Sequence, residues 1–193
     1  MMTPKLTTTQ TIGPFFRNAL LREDAARNVL VGAQTLGEHI RIEGRVLDGD
    51  HSPVSDAMVE IWQANSFGRY NHHADTQPAL LDSAFTGFGR SGTDDDGNYW
   101  FETVKPGAVP FDEERMQAPH IVFTVFSRGL LNHLFTRLYF ADEPANEHDP
   151  ILHLVPTERR VTLLAQREPA SAIPTYHFNI VLQGGDETVF FNL

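Results

Sequence analysis

Apolar and polar residues alternate along most of the chain, which is the period of a β-strand with one buried face. Ile40, Ile42 and Val46 fall on one face of a first predicted strand. The sequence DGD then predicts a turn, and Val59 with Ile61 begins a second strand. The same signal returns later in the chain in the segments NYWFETV, HIVFTVFS, LFTRLYF and TYHFNIVLQG. Six or more strands are therefore predicted.

One short helix interrupts this β pattern. Val161, Leu164 and Ala165 recur at helical spacing, and prolines lie on both sides of the segment. The sequence thus predicts a mainly β fold, an antiparallel β-sandwich with an N-terminal arm and one or two short helices. Periodicity alone does not separate a sandwich from a barrel.

The first 38 residues differ from the rest because they carry no alternation. A segment of this kind cannot bury its own apolar side chains, so it is expected to dock on other structure. We therefore expect residues 1–38 to form an arm that packs on the domain or on a partner chain. Residues 39–193 are expected to form a single β-sandwich domain.

Composition excludes several classes of function. The formal net charge is −10, from 25 acidic and 15 basic residues, so nucleic acid and anionic membranes are not expected as partners. The chain has no cysteine, which rules out disulfides, zinc-thiolate sites and thiol nucleophiles. The N-terminus lacks the apolar core of a signal peptide, and no apolar run is long enough to span a bilayer. These features predict a cytoplasmic protein.

Local motifs give little chemistry by themselves. His72, His73 and Asp75 lie close together, but adjacent residues of an extended chain face opposite ways, so a solvated loop explains them better than a metal site. The acidic run at 94–98 lacks the closing glutamate of a calcium loop and predicts a hairpin turn. His120 alone is typical of a core histidine bonded to backbone.

Taken in order, several segments resemble the intradiol ring-cleaving dioxygenases. They read EIWQANSFGRY, FGRSGTDDDGNYWFETVKPGAVPF, APHIVF, TRLYF and YHFNIVLQG, and the resemblance extends from about Thr11 to Leu193. It implies an enzyme that opens a catechol ring with dioxygen. It also implies a ferric ion held in each active chain by two tyrosines and two histidines.

Half of that ligand set is absent from this chain. The resemblance places the first tyrosine at Tyr70 and the first histidine at His120, but the second tyrosine is replaced by Val109 and the second histidine by Val122. An arginine that helps to polarise the catechol is replaced by Gln117. A hard ferric ion prefers anionic oxygen donors, and valine supplies none. We therefore expect no catalytic residue and no metal ligands here, with Tyr70 and His120 as remnants.

The same resemblance implies a partner. Some family members combine two related chains, one that binds Fe(III) and one that has lost it, and this sequence is similar to the second kind. It implies that Thr11, Gly13, Pro14 and Arg128 line the pocket of the iron-bearing partner chain. Arg128 would there bind the carboxylate of a carboxylated catechol.

Two other functions remain open from the sequence. One is an enzyme with a rearranged metal site, in which Tyr70 and His120 are joined by a ligand from the neighbouring His72, His73 or Asp75. The other is a stand-alone β-sandwich binding module that holds a small aromatic acid in the degenerate cavity.

Overall fold

The fold is mainly β, as the sequence predicts. A computed structural model describes residues 11–13, 18–22 and 27–192. The strands in those ranges are β1 His39–Leu47, β2 Met58–Trp62, β3 Phe88–Gly92, β4 Asn98–Val104, β5 Val109–Pro110, β6 Met116–Gln117, β7 His120–Phe126, β8 Leu134–Phe140, β9 Leu164–Arg167, β10 Thr175–His177 and β11 Ile180–Val181. Three 3-10 helices lie at Pro144–His148, Leu152–Leu154 and Thr157–Leu163, and residues 18–20 are α-helical.

Two layers of strands enclose the core. One layer has the order β8-β7-β2-β3, and the other is built from β4, β1, β10 and β11. Strand β9 pairs with both β8 and β10 and so links the layers. The Phe123 ring from β7 meets Tyr99 and Phe101 from β4, with ring centroids 6.0 and 6.3 Å apart. The alternation of Tyr99 and Phe101 therefore marks the face that packs in the core, as the sequence predicts.

The strands do not all run antiparallel. Among the described residues, three pairings are parallel: β1 with β10, β1 with β11, and β8 with β9. The remaining pairings are antiparallel, including the long β7–β8 and β1–β4 pairs. A parallel pair needs a crossover connection, and the three 3-10 helices lie in the crossover between β8 and β9.

The helix prediction is partly wrong. Thr157–Leu163 forms a 3-10 helix, but Leu164 and Ala165 belong to strand β9. Ala165 is fully buried and pairs with Phe140 of β8, so tertiary packing overrides the local helical spacing. No helix in the described ranges is long and apolar enough to cross a membrane.

The segment before β1 lies against both layers. Arg27 forms a β-bridge with Arg90 of β3, and the Leu30 N–H donates to the Glu102 carbonyl of β4. The Leu36 N–H donates to the Asp82 carboxylate. Residues 27–36 are thus attached to the domain by backbone hydrogen bonds.

Candidate functional site

One end of strand β7 carries the remnant positions. His120 pairs with Tyr139 of β8, and Val122 pairs with Trp62 of β2 on one side and Arg137 of β8 on the other. Directly paired residues in neighbouring strands point to the same face, as do residues two apart in one strand. These five side chains therefore share one face of the sheet, opposite the face of Ile121 and Phe123 that packs between the two layers.

Two glycine-containing loops bring Tyr70 next to Val109. Gly68 has a φ of +80°, and a Cβ there would lie 2.0 Å from the Ala108 carbonyl oxygen. A Cβ on Gly107 would likewise lie 2.6 Å from the Gly68 nitrogen. The two backbones touch only because neither residue has a side chain. The sequences FGRY and PGAV are therefore juxtaposed by direct backbone contact.

A cavity of about 690 Å³ opens between these loops and strand β2. Its wall includes the stacked rings of Trp62 and Tyr70, with centroids 5.8 Å apart and planes at 17°. This volume is within the range of small-molecule sites, roughly 300–1,000 Å³. The residues that line it are Trp62, Tyr70, His72, Ala74, Asp75, Thr76, Gln77, Val109, Pro110 and Gln117.

Tyr70 is held in its protonated form. Burial raises the pKa of its hydroxyl, the Arg137 guanidinium opposes that rise, and Asp75 adds a smaller increase. The Tyr70 N–H donates to Asp75 Oδ2 at 2.8 Å, so Asp75 closes the loop that carries the tyrosine. The phenol therefore remains neutral at pH 7.

His120 is a buried histidine bonded to backbone. It is 4% exposed, and its Nδ1 lies 2.8 Å from the Ala118 carbonyl oxygen, so Nδ1 donates the proton. The pKa of His120 is lowered to about 4, chiefly by burial and also by the Arg137 charge, while the Ala118 hydrogen bond and the Asp149 charge oppose this decrease. The imidazole is therefore neutral at pH 7.

Asp149 fixes the backbone next to His120. It is 0% exposed, and its Oδ2 accepts from the Ala118 N–H at 2.8 Å. Its Oδ1 accepts from the Tyr139 hydroxyl and from the N–H groups of Ile151 and Leu152. Four donors thus converge on one buried carboxylate. No motif in the sequence marks Asp149 as part of the site.

Arg137 is also missed by the sequence analysis. Its Nη1 donates to Gln117 Oε1 at 2.8 Å and approaches the Tyr139 hydroxyl at 3.4 Å. Within the described ranges it takes part in no ion pair. An arginine opposite Val122, in the middle of the apolar strand LFTRLYF, was the signal that could have identified it.

Within the described ranges, His72 and His73 belong to no group of acidic and histidine residues that could hold a metal ion. His72 lines the cavity with its ring edge on Trp62, and the His72 and His73 rings are 4.2 Å apart. Asp75 directs both carboxylate oxygens to donors of Tyr70 and Gln77. Across the residues that the structure describes, no three or more His, Asp or Glu side chains are grouped to hold a metal ion.

Arg128 lies beyond the other end of β7. The distance from His120 to Phe126 is roughly 20 Å at about 3.3 Å per residue. Arg128 follows in a β-turn closed by the Leu130 N–H to the Ser127 carbonyl, and Gly129 has a φ of +87° as the third residue of a type II turn requires. The structure therefore separates Arg128 from the remnant positions.

The Arg128 side chain points into solvent. It is 81% exposed, and its Nε lies 3.0 Å from Asp56 Oδ2. Because Asp56 contacts Nε, the edge formed by the two Nη groups remains open to a ligand. Leu131, in the same loop, is 82% exposed. This end of β7 therefore presents a cation and an apolar side chain together.

The N-terminal positions are only partly described. Thr11 is exposed, Gly13 is half-buried, and Ile12 between them is buried at 4%. Pro14 lies outside the described residues. The roles of these residues in a shared pocket stay predictions.

Comparison with known proteins places this architecture in a family. A family model described as Dioxygenase matches residues 12–184. A protocatechuate 3,4-dioxygenase alpha chain from Burkholderia cepacia is 44% identical over 204 residues, covering 100% of both chains. The beta chain of that name from Burkholderia cepacia is 39% identical over 175 residues, covering 87% of this chain and 74% of the beta chain.

A solved structure supports the same assignment. The dioxygenase domain of a dioxygenase carbohydrate-binding protein fusion from Streptomyces sp. SirexAA-E matches with a TM-score of 0.65 at 25% identity, covering 94% of this chain and 100% of that chain. The match therefore spans nearly the whole of both molecules. Family model, sequence relatives and fold agree, and the chain belongs to the intradiol dioxygenase family.

Proposed function

We propose that this chain is the alpha subunit of a heteromeric protocatechuate 3,4-dioxygenase. The assembled αβ enzyme cleaves the bond between the two hydroxyl-bearing carbons of protocatechuate. Both atoms of dioxygen enter the product, 3-carboxy-cis,cis-muconate, a step of aromatic catabolism. The beta subunit binds Fe(III), and this chain shapes the substrate pocket. Full-length similarity to an alpha chain and lower similarity to a beta chain support this division.

The residues present in this chain do not fit a ferric ion. Val109 and Val122 offer no donor atom, so only Tyr70 and His120 of the four expected positions could ligate a metal. The Arg137 guanidinium lies on the same face of the sheet as His120, and a second cation nearby disfavours Fe(III). We therefore place the iron in the beta subunit and assign this chain no metal ligand and no catalytic residue.

The observation that carries the proposed pocket role is the open Nη edge of Arg128. A planar guanidinium fork matches a carboxylate, and protocatechuate carries one. Arg128 is 81% exposed and lies beyond the far end of β7 from Tyr70 and His120, so it cannot serve the cavity of its own chain. A pocket in the beta subunit is the site that its position favours.

The N-terminal segment completes the proposed interface. We propose that Thr11, Gly13 and Pro14 form part of the wall of the beta pocket and that residues 1–38 act as the connecting arm. The exposed Leu131 beside Arg128 provides apolar surface that such an interface buries. In this proposal, residues 1–38 are the arm and residues 39–193 are the β-sandwich domain.

Substitution of Arg128 in the αβ assembly tests this proposal. We expect Arg128→Ala to lower kcat/KM for protocatechuate roughly 10- to 100-fold, the value of a hydrogen bond to a charged group. Turnover of catechol, which lacks the carboxylate, should be nearly unchanged. Arg128→Lys, which keeps the charge but loses the fork, serves as the control and should give an intermediate loss. Equal loss for both substrates would remove the carboxylate role.

A further inference from the structure

We propose that residues 27–30 form a releasable strap that closes two sheet edges of this chain, and that docking of the preceding N-terminal residues on the beta subunit keeps the strap closed. Assembly of the enzyme is thereby coupled to the integrity of this chain's own sandwich. The inference rests on the proposed function only for the identity of the partner that holds the N-terminal residues.

The strap lies where both layers of the sandwich end. Among the described strands, β3 pairs only with β2 and β4 pairs only with β1, so each is the edge strand of its layer. An edge strand presents unpaired N–H and C=O groups, which pair readily with another chain. One segment that covers both edges therefore removes two such surfaces at once.

Four backbone hydrogen bonds join the strap to the two edges. On the β3 side, the Arg27 N–H donates to the Arg90 carbonyl at 2.9 Å, and the Arg90 N–H donates to the Arg27 carbonyl at 3.0 Å. On the β4 side, the Glu102 N–H donates to the Asn28 carbonyl and the Leu30 N–H donates to the Glu102 carbonyl, both at 2.8 Å. A single short segment thus connects the two layers.

Leu30 anchors the strap in the core. It packs against the main hydrophobic cluster, and a Cβ added at Gly89 would lie 2.8 Å from its Cδ1. The same Cβ would lie 2.8 Å from Ile61 Cγ1 and 3.1 Å from Phe101 Cδ1, so a glycine at this position leaves the space that Leu30 fills. Val29, by contrast, is 54% exposed. Release of the strap therefore requires the withdrawal of one side chain and the loss of four hydrogen bonds.

A turn fixes the C-terminal side of the strap to the domain. The Thr35 N–H donates to the Gly32 carbonyl at 3.1 Å, and the Gly32 N–H donates to Thr35 Oγ1 at 2.9 Å. His39 Nε2, at the start of β1, lies 3.2 Å from the Thr35 carbonyl oxygen. On the other side, the chain leads to Thr11 and Gly13, which are proposed to line the beta pocket. A partner that holds those residues restrains the strap from its N-terminal side.

Opening of the strap requires less free energy than unfolding of the sandwich. Strand β1 pairs on both sides, whereas the strap is held by four hydrogen bonds and one apolar side chain. A partner that binds only the closed form lowers the population of the open form. In the chain alone, the open form exposes the edges of β3 and β4, and these edges pair with those of a second copy.

Hydrogen exchange of the full-length chain, alone and in the αβ assembly, tests this inference. The reporters are the amides of Arg90 and Glu102, which donate to the strap, and the controls are the amides of β1. We expect the reporters to exchange at least about tenfold faster in the chain alone, with a smaller change in β1. Equal exchange of the reporters in both samples, or the same slowing throughout β1, would overturn the proposal.

Two neighbouring residues provide a matched pair of variants. In the chain alone, Leu30→Ala should speed exchange of the Glu102 amide roughly tenfold or more and should increase self-association measured by light scattering. Val29→Ala should do neither, because the Val29 side chain is exposed. Equal effects of the two variants would contradict a strap that Leu30 anchors.

A disulfide keeps the test valid if Leu30→Ala fails to fold. Val29 and Glu102 are bridge partners, and the chain has no cysteine, so Val29→Cys combined with Glu102→Cys allows a single intramolecular disulfide. The oxidised chain alone should have a protected Arg90 amide and should stay monomeric, whereas the reduced chain should self-associate like the native one.

The disulfide also separates this inference from the proposed function. Self-association of the oxidised chain to the same extent as the reduced chain would overturn the strap. The comparison of oxidised and reduced chains needs no beta subunit. A chain that behaves as expected in that comparison but forms no assembly with a beta subunit would therefore count against the proposed function and not against the strap.

Discussion

The two ends of strand β7 use their polar residues in opposite ways. At the first end, His120 is buried and bonded to its own backbone, and Asp149 satisfies four internal donors. Beyond the second end, Arg128 is 81% exposed with one edge of its guanidinium open. His120 and Asp149 are residue types common in catalytic sites, yet here they stabilise the fold. Arg128, the residue proposed to contact the substrate, lies in an exposed loop. Burial and free hydrogen-bonding capacity, more than residue type, separate the two roles.

Removing the Asp149 carboxylate should have the largest effect on stability. Asp149→Ala leaves four donors without their acceptor, and we expect the free energy of unfolding to fall by roughly 3–5 kcal/mol. Chemical denaturation of the assembled protein measures the change.

Asp56→Ala is the matched control at the exposed end, where we expect less than about 1 kcal/mol. Similar decreases in the free energy of unfolding for Asp149→Ala and Asp56→Ala would mean that the buried end of β7 contributes no more to stability than the exposed end.

Acid should weaken the His120 end next. The pKa of His120 is about 4 in the folded chain and about 6.5 in an unfolded one, so the unfolded state binds the proton more tightly. The stability contributed by the neutral imidazole is therefore complete above about pH 6.5 and is lost as the pH falls toward 4. This change amounts to about 3 kcal/mol.

A non-titrating variant isolates that contribution. His120→Asn keeps a side-chain N–H donor for the Ala118 carbonyl but cannot take up a proton. The difference in unfolding free energy between the native chain and this variant should shrink by about 3 kcal/mol between pH 7 and pH 4. A difference that does not change with pH would show that His120 titrates normally.

At the exposed end, Asp56 should act by orienting Arg128. Asp56→Ala frees the guanidinium, and the cost of ordering it again, about 1 kcal/mol, should raise KM for protocatechuate about fivefold with kcat unchanged. Asp56→Asn keeps an acceptor oxygen and removes a negative charge, so its KM should stay the same or fall. Steady-state oxygen uptake measures both. An unchanged KM in Asp56→Ala would show that Asp56 does not orient Arg128.

Restoring the lost ligand types should have the smallest effect. Val109→Tyr combined with Val122→His adds two donors to Tyr70 and His120, which makes four of the right type, yet Arg137 remains opposite position 122. We expect far less than one iron per chain by metal analysis, and more iron when Arg137→Gln is added because a neighbouring cation has been removed. Full iron loading of the double variant would show that Arg137 does not oppose the metal.

The alternation of apolar residues predicts the local parts of this fold well. Tyr99 and Phe101 alternate toward the core, and their strand was predicted from sequence. Leu164 and Ala165 were wrongly assigned to a helix because their strand depends on pairing with β8, which is distant in the chain. Local periodicity contains no information about that partner.

The candidate site was only half predictable for the same reason. Tyr70, His120 and Arg128 were identified through motifs, which are short stretches of sequence. Arg137 and Asp149 were missed because their importance depends on which strands and loops they face. Asp56 was missed because its contact with Arg128 joins positions 72 residues apart, the difference between 128 and 56.

We propose that this chain contributes to a dioxygenase site without holding the iron itself. This proposal is tested most directly by measuring iron content and protocatechuate-dependent oxygen uptake for the chain alone and for the chain co-expressed with a beta subunit. We expect no stoichiometric iron and no turnover for the chain alone, and both in the αβ assembly. An isolated chain that binds one iron and turns over protocatechuate would contradict it.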